Sequence, residues 1–333
     1  MNKNKFMQLA IQKAWKYQFL TYPNPAVGAT VVRKGKLLSV EAHQKAGMPH
    51  AEVLALKEAY LTHYKNLELK NIKNSLDIHN YLIKNHKDFF KDCEIFVTLE
   101  PCNHIGKTPA CAILLEAIGI KKVYIGTLDC NNEATGGLKR LQEAKIEVEI
   151  DVCKEQTDAL LYPFKKWQQD SFVFFKLAMR EDGTIEGGYI TTQDSLKLVH
   201  EIRNNLELLV IGGKTVRTDR PTLDSRFSII NNPPDILILS NRDDFDKTIP
   251  LFTVPNRSVV ISNNINKIRD KNFVMVEGGY NLLESIKTQI DYLVIFLSKR
   301  INLDKKIDLN QLEFQEVYRY KINDDDTIIF LKK

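Results

Sequence analysis

The sequence predicts an α/β protein built as two domains. Three observations carry that expectation: apolar runs of strand length recur along the whole chain, stretches with helical apolar spacing fall between them, and 333 residues is about twice the length of an ordinary domain. Apolar residues make up 44% of the chain and charged residues 27%, enough for two cores and too mixed for a disordered or fibrous protein.

Residues 1–19 interleave lysines with apolar positions at helical spacing and contain no uninterrupted apolar leader. Runs at 26–33 and 37–42 read as a hairpin around Lys34-Gly35, and a helix follows from about 50 to 60. The lysine- and asparagine-rich stretch 62–92 carries scattered apolar positions, among them Leu76, Tyr81, Leu82 and Phe89, which predict one or two helices; a surface embellishment and a subunit contact are both open as its role. Strands are expected at 94–99, 121–127 and 146–152. The first series ends near 152, which sets a boundary between a domain of 1–152 and one of 153–333, and Tyr162-Pro163 to Asp170 reads as an extended or turn connection. The second half offers strands at 172–179, 206–213, 235–240, 257–262, 272–279 and 291–298, several of them separated by helices.

Net charge is +5, from 47 basic and 42 acidic residues spread without a block of like charge, so no nucleic-acid footprint is expected. No run of eighteen apolar residues predicts a membrane span, and a cytoplasmic protein is expected. Five cysteines and no secretion signal point to reduced thiols, either buried or ligating a metal.

His50-Ala51-Glu52 opens a helix after Pro49, Pro101-Cys102 follows the strand ending at Glu100, and Cys111 opens another helix after Thr108-Pro109. One imidazole and two thiolates suit Zn²⁺ and leave a fourth tetrahedral position for water, whose pKa the metal lowers to about 7. Helix N-termini beside the ligands favour their deprotonated forms. Glu52 is not needed as a ligand and is free to take a proton from that water and deliver it to a ring nitrogen, and later to protonate the departing amine. Singly, His50, Cys102 and Cys111 are as readily ordinary buried residues; jointly, with Glu52 and both prolines, they point to a metal. His-x-Glu followed by Pro-Cys and a second cysteine, here with eight residues between the cysteines, is the signature of zinc nucleobase deaminases. Cys93, Cys130 and Cys153 fit no ligand spacing, and His63, His79, His86 and His200 read as solvated or structural.

The strings Tyr22-Pro-Asn-Pro-Ala-Val-Gly28, His43-Gln-Lys-Ala-Gly-Met-Pro-His50-Ala-Glu52-Val and Thr98-Leu-Glu-Pro-Cys102-Asn-His-Ile-Gly-Lys-Thr-Pro-Ala-Cys111 closely resemble the bifunctional riboflavin-biosynthesis deaminase/reductase family. The resemblance covers essentially the whole chain, less strongly in the second half. It implies a cytidine-deaminase-like first domain that removes the 2-amino group of 2,5-diamino-6-(5-phosphoribosylamino)pyrimidin-4-one. It implies also a dihydrofolate-reductase-like second domain that uses NADPH to reduce the ribosyl group to a ribityl chain. One zinc per chain and NADPH are the implied cofactors. The implied partner is the phosphoribosylated pyrimidine, with neither nucleic acid nor membrane, and the expected assembly is a homo-oligomer, dimer or tetramer.

By the same resemblance Asn24 and His43 line the pyrimidine pocket, and His104 and Lys107 help select the phosphoribosylated substrate. Lys176 lies beside the ribose, while Arg203, Leu223, Arg226 and Glu277 also touch substrate. Ala178, Tyr189, Thr215, Asp219, Ser240, Gly278, Gly279, Tyr280 and Asn281 are the implied NADPH contacts. Independently of the resemblance, no Gly-x-Gly-x-x-Gly follows a strand, but the pairs Gly212-Gly213 and Gly278-Gly279 allow backbone amides to approach a pyrophosphate. Lys176 interrupts an apolar strand, which is costly unless its ammonium reaches a cleft.

Departures from the family pattern fall in both halves, and those in the second bear on the reductase. Arg180-Glu181-Asp182-Gly183 stands where the family has Ser-Leu-Asp-Gly, Tyr189 takes a tryptophan's position, and Arg220 replaces an acidic residue. They leave a second reading open, an active deaminase with a weak or silent reductase domain. A nucleic-acid-editing deaminase would show a basic groove with stacking aromatics, and a zinc-stabilised scaffold gives no reason for Glu52.

Overall fold

The computed structural model describes residues 2–104, 108–129, 136–185, 187–300, 309 and 312–333. They form two compact units, Met1–Lys165 and Lys166–Lys333. The first opens with α1 (Lys3–Trp15), whose N-cap Asn2 accepts the Lys5 N–H. β1 (Gly28–Arg33) and β2 (Lys36–Ala42) make the expected hairpin. Lys34 and Gly35 both take positive φ, 50° and 78°, the two-residue turn whose twist matches the paired strands.

After α2 (Ala51–Tyr64), the 62–92 stretch forms α3 (Leu67–Asn71) and α4 (Ser75–Asn85), each started by an asparagine side chain, Asn66 and Asn74. β3 (Cys93–Leu99), α5 (Cys111–Ala117), β4 (Lys122–Thr127), α6 (Gly137–Glu143) and β5 (Glu147–Glu149) complete a sheet ordered β2-β1-β3-β4-β5, antiparallel through β3 and parallel from β3 to β5. Ala29 and Val31 of β1, Ile95 and Val97 of β3, Val53 and Leu56 of α2 and Leu114 of α5 share one core. On the other face α1 lies so close that a Cβ on Gly28 would sit 2.0 Å from the Ala10 carbonyl oxygen.

The segment 162–170, expected as an extended or turn connection, is instead helical: α7 (Lys154–Gln169) runs through it with Pro163 inside. Leu160, Leu161, Phe164 and Trp167 recur at helical spacing and are all buried, and that packing outweighs the one backbone bond a proline removes. The two units divide within this helix, later in the chain than residue 152.

The second unit comprises β6 (Phe172–Arg180), α8 (Gln193–Arg203), β7 (Leu208–Gly212), α9 (Gly213–Asp219), β8 (Asp235–Leu239), β9 (Val259–Ser262), β10 (Phe273–Glu277), α10 (Tyr280–Ile286), β11 (Tyr292–Ser298), β12 (Gln315–Lys321) and β13 (Asp326–Lys332). Its sheet runs β12-β13-β11-β6-β10-β7-β8-β9, with β11 to β9 parallel and the β12–β13 hairpin antiparallel on β11. Each strand expected between 172 and 298 forms. The hairpin β12–β13 was not anticipated, because the exposed and half-buried residues of β12 carry little apolar signal. β10 enters between β6 and β7, so the progress of the chain across the sheet reverses there, and α/β sheets open ligand crevices at the carboxyl ends of strands at such points.

A Gly28→Ala variant is expected to lose about 1–3 kcal/mol of unfolding free energy, read by denaturant titration, because its methyl group must displace α1 from β1. An unchanged midpoint would mean that the approach of α1 is not constrained there.

Candidate functional site

In the first unit the three expected ligands meet. His50 is the N-cap of α2 and Cys111 the first residue of α5, while Cys102 follows β3 by a short turn. His50 Nδ1 lies 3.6 Å from Cys102 Sγ and 3.5 Å from Cys111 Sγ, and the three ligand atoms fall within 4.8 Å of one another. Bond lengths of about 2.1 Å to nitrogen and 2.3 Å to sulfur at tetrahedral angles give ligand-to-ligand edges of about 3.6 Å, so the donor set fits Zn²⁺. His50 Nε2 is 3.1 Å from Thr108 Oγ1, which leaves Nδ1 as the nitrogen turned toward the sulfurs.

The turn carrying Cys102 is pinned from below. The buried Glu100 carboxylate accepts the Asp129 N–H at 3.2 Å and the Leu138 N–H at 2.9 Å, and the Glu100 N–H donates to the Thr127 carbonyl. A Cβ on Gly137 would stand 1.8 Å from the Pro101 carbonyl oxygen, so α6 starts in direct contact with the turn. The Cys111 N–H donates to Cys102 Sγ at 3.4 Å.

Electrostatics follow from this geometry. A hydrogen bond from the Cys111 thiol pulls Cys102 down to about 4 against its burial, with His50 adding to the fall. The same bond, together with burial, pushes Cys111 up. The pair thus favours the thiolate at Cys102 over that at Cys111. Glu52, 4% exposed in the first turn of α2, has its carboxyl pushed up by burial, against the pull of His50.

Asn24 and His43 lie together beside this cluster. The Asn24 amide Nδ2 donates to His43 Nε2 at 3.1 Å, and the imidazole Nδ1–H donates to the Pro49 carbonyl at 3.1 Å. The His43 and His50 rings meet edge to face at 5.5 Å. Burial drives the His43 pKa down to about 4, against the Pro49 carbonyl and with His50 adding to the fall. His104 is exposed, and Lys107 lies outside the described residues.

In the second unit the expected residues gather at the carboxyl edge of the sheet. Lys176 of β6 is level with Glu277 of β10, and its Nζ lies 5.7 Å from the Phe296 ring. Burial lowers the Lys176 pKa; Glu277 is half-buried, and Arg203 and Lys176 hold its carboxyl below the usual range against its desolvation. Arg203 does not present an open guanidinium fork: its Nη2 donates to both Glu277 oxygens, at 2.9 and 2.8 Å. Arg226 Nε donates to Asp224 at 2.8 Å, and Leu223, with φ of 56°, offers its carbonyl to Arg257 at 2.6 Å.

Gly212 and Gly279 are the N-caps of α9 and α10, with Thr215 in the first turn of α9 and Gly278, Tyr280 and Asn281 around the start of α10. A Cβ on Gly213 would meet Ser240 at 2.7 Å, so α9 packs against the end of β8. Ala178 is half-buried on β6, whereas Tyr189 is 80% exposed and Asp219 is exposed at the end of α9. Arg180, the clearest departure from the family pattern, is buried and donates to Thr184 Oγ1 at 3.3 Å and the Gly187 carbonyl at 3.0 Å.

Sequence reasoning missed Glu100, Thr108 and Arg257, which act on the site through other residues, and left out His200. The last is buried, 4.0 Å from Asp224, with its pKa lowered to about 4 by burial and by Arg203. Only Pro-Cys and Thr-Pro adjacency hinted at the first two.

The His43 shift fixes a stability trend. Its folded pKa of about 4 lies below the unfolded value near 6.5, so the unfolded chain binds the extra proton. The contribution of neutral His43 is complete above about 6.5 and is lost as pH falls toward 4. A His43→Gln variant is expected to lose stability less steeply than the parent between pH 6.5 and 4 in urea titrations; parallel slopes would contradict the buried neutral imidazole.

Comparison with known proteins agrees with both halves. Residues 1–127 match the family model of the cytidine and deoxycytidylate deaminase zinc-binding region. The riboflavin biosynthesis protein RibD of Aquifex aeolicus is 33% identical over 305 residues, 86% of this chain and 77% of that protein. RibD of Synechocystis is 32% identical over 233 residues, covering 67% of this chain and 55% of that protein. The crystal structure of a diaminohydroxyphosphoribosylaminopyrimidine deaminase/5-amino-6-(5-phosphoribosylamino)uracil reductase from Thermotoga maritima aligns over 99% of this chain and 98% of its own, at 26% identity and a TM-score of 0.66. With the ligand triangle in the first unit, the mixed sheet of the second and a relative matched through both, the chain belongs to the RibD family of riboflavin-biosynthesis deaminase/reductases.

Proposed function

We propose that this chain removes the 2-amino group of 2,5-diamino-6-(5-phosphoribosylamino)pyrimidin-4-one by hydrolysis in its first unit and reduces the ribosyl group of the product to a ribityl chain with NADPH in its second. The observation that carries the reading is a tetrahedral-edge triangle of His50, Cys102 and Cys111 with a buried carboxyl, Glu52, two residues from one ligand.

In this reading His50, Cys102 and Cys111 hold one Zn²⁺, which supplies water acidic enough to act as a nucleophile at neutral pH. Glu52 would take one proton from the attacking water and pass it to a ring nitrogen, then take the second from the hydroxyl added at ring carbon 2 and give it to the departing amine. A C–O bond forms at ring carbon 2, the C–N bond breaks and ammonia departs. Burial raises the Glu52 pKa, which suits a group that must both accept and donate. Asn24 and His43 hold the pyrimidine, with His43 kept neutral and oriented by Pro49, while His104 and Lys107 select the phosphoribosyl end.

For the reduction, Lys176, Arg203, Leu223, Arg226 and Glu277 orient the sugar phosphate. The start of α10, with Gly278, Gly279, Tyr280 and Asn281, would cradle the NADPH phosphates, and Ala178, Tyr189, Thr215, Asp219 and Ser240 would make further contacts to the cofactor. We further propose a cytoplasmic homo-oligomer, dimer or tetramer, that engages neither nucleic acid nor membrane; no helix among the described residues is long and apolar enough to cross one. One observation favours the second reading, a weak or silent reductase: Arg203 already spends both bonds of its Nη2 on Glu277.

Glu52→Gln is expected to lower the deamination rate by at least about 10³-fold while zinc content stays at that of the parent, because the amide cannot carry the proton. Retained turnover would sink the mechanism. Incubating the parent with the diaminopyrimidine should give deaminated product alone without NADPH and deaminated, reduced product with it, as read by mass spectrometry. Deamination without reduction in both cases would establish the silent reductase.

A further inference from the structure

No role given above uses the 62–92 stretch, yet hydrogen bonds tie it to both helices that start at the metal site. His79 of α4 is buried, and its Nε2–H donates to the Ala110 carbonyl at 3.3 Å. Ala110 is the N-cap of α5, and Cys111 is the next residue. At the other helix, Lys57 of α2 is 5% exposed and donates from Nζ to the carbonyls of Lys70 and Ile72, at 3.3 and 2.7 Å, where α3 ends. Tyr60 of α2 donates its hydroxyl to the Asn85 carbonyl, at the end of α4, at 2.6 Å. Leu69, Ile78 and Leu82 enter the core that also holds Ala51 and Cys111.

We infer that α3 and α4 form a brace setting the distance between the N-terminal ends of α2 and α5, and that His79 is its positioning residue at Cys111. The inference rests on reading His50, Cys102 and Cys111 as zinc ligands. The physical argument is one of tolerance. A tetrahedral site accepts ligand edges near 3.6 Å, and a short helix such as α5, seven residues long, has few backbone bonds of its own to fix where it starts. A buried donor on the N-cap carbonyl fixes the peptide that precedes the ligand. The Lys57 ammonium on the carbonyls at the end of α3 ties that helix to α2.

The test uses the full chain and reads zinc affinity by competition with a chromophoric chelator, alongside kcat and KM for both reactions. His79→Leu is expected to bind zinc about tenfold more weakly and to lose deaminase kcat with KM little changed, while the reductase reaction is unaffected. His79→Gln, whose amide nitrogen reaches as Nε2 does, should restore zinc affinity to within about threefold of the parent. Should His79→Leu fail to fold, His79→Asn, whose amide is too short to reach Ala110, takes its place against His79→Gln. Parental zinc affinity in the Leu or Asn variant, or a Gln variant as weak as these, would overturn the brace while leaving the metal site intact. A parent that binds no zinc would overturn both.

Discussion

Three ligand atoms from distant parts of the chain lie within 4.8 Å of one another, and much of the first unit can be read as the means of keeping them there. Two thiols and an imidazole at that distance compete for protons, so Cys102 is pulled toward the thiolate while Cys111 is pushed away from it. Such a cluster is stable only when the backbone leaves its members no route apart. Each ligand therefore sits where the backbone is pinned: His50 and Cys111 at helix starts, Cys102 on a turn clamped by Glu100 and by the approach of Gly137.

The second unit solves a related problem with opposite charges. Lys176 and Glu277 are level on neighbouring strands at the carboxyl edge of a parallel sheet, and Arg203 pairs with Glu277 at 2.8 Å. Asp326 of β13 takes part from a distance, accepting the Thr192 N–H and the hydroxyls of Thr192 and Ser195 at the start of α8, the helix that ends at Arg203. A carboxylate at a helix start stabilises the helix through its unpaired N–H groups and its dipole, and here it fixes the helix whose far end carries the arginine.

Much was legible without the structure because it depends on local pattern. Lys34-Gly35 between two apolar runs announced the first hairpin, and its positive φ angles are what that turn requires. The apolar runs of the second half became β6 to β11 in order. Pro163 was misread because a proline is a local signal of termination, whereas the burial of Leu160, Phe164 and Trp167 that keeps α7 intact is a property of the packed chain. The β12–β13 hairpin was missed for the converse reason, its edge strand having little apolar periodicity to report.

Residue type and short-range spacing are enough to show which side chains are able to ligate a metal, that a carboxyl lies two residues from one of them, and that strands and helices alternate. Only the tertiary structure decided which groups hold them in place. Thr108 on His50 Nε2, Glu100 beneath Cys102, His79 on the Ala110 carbonyl and Glu277 on Arg203 are contacts across loops and strands. Such pairs have no spacing to be recognised by; they exist because close-packed elements bring polar groups within hydrogen-bonding distance of one another.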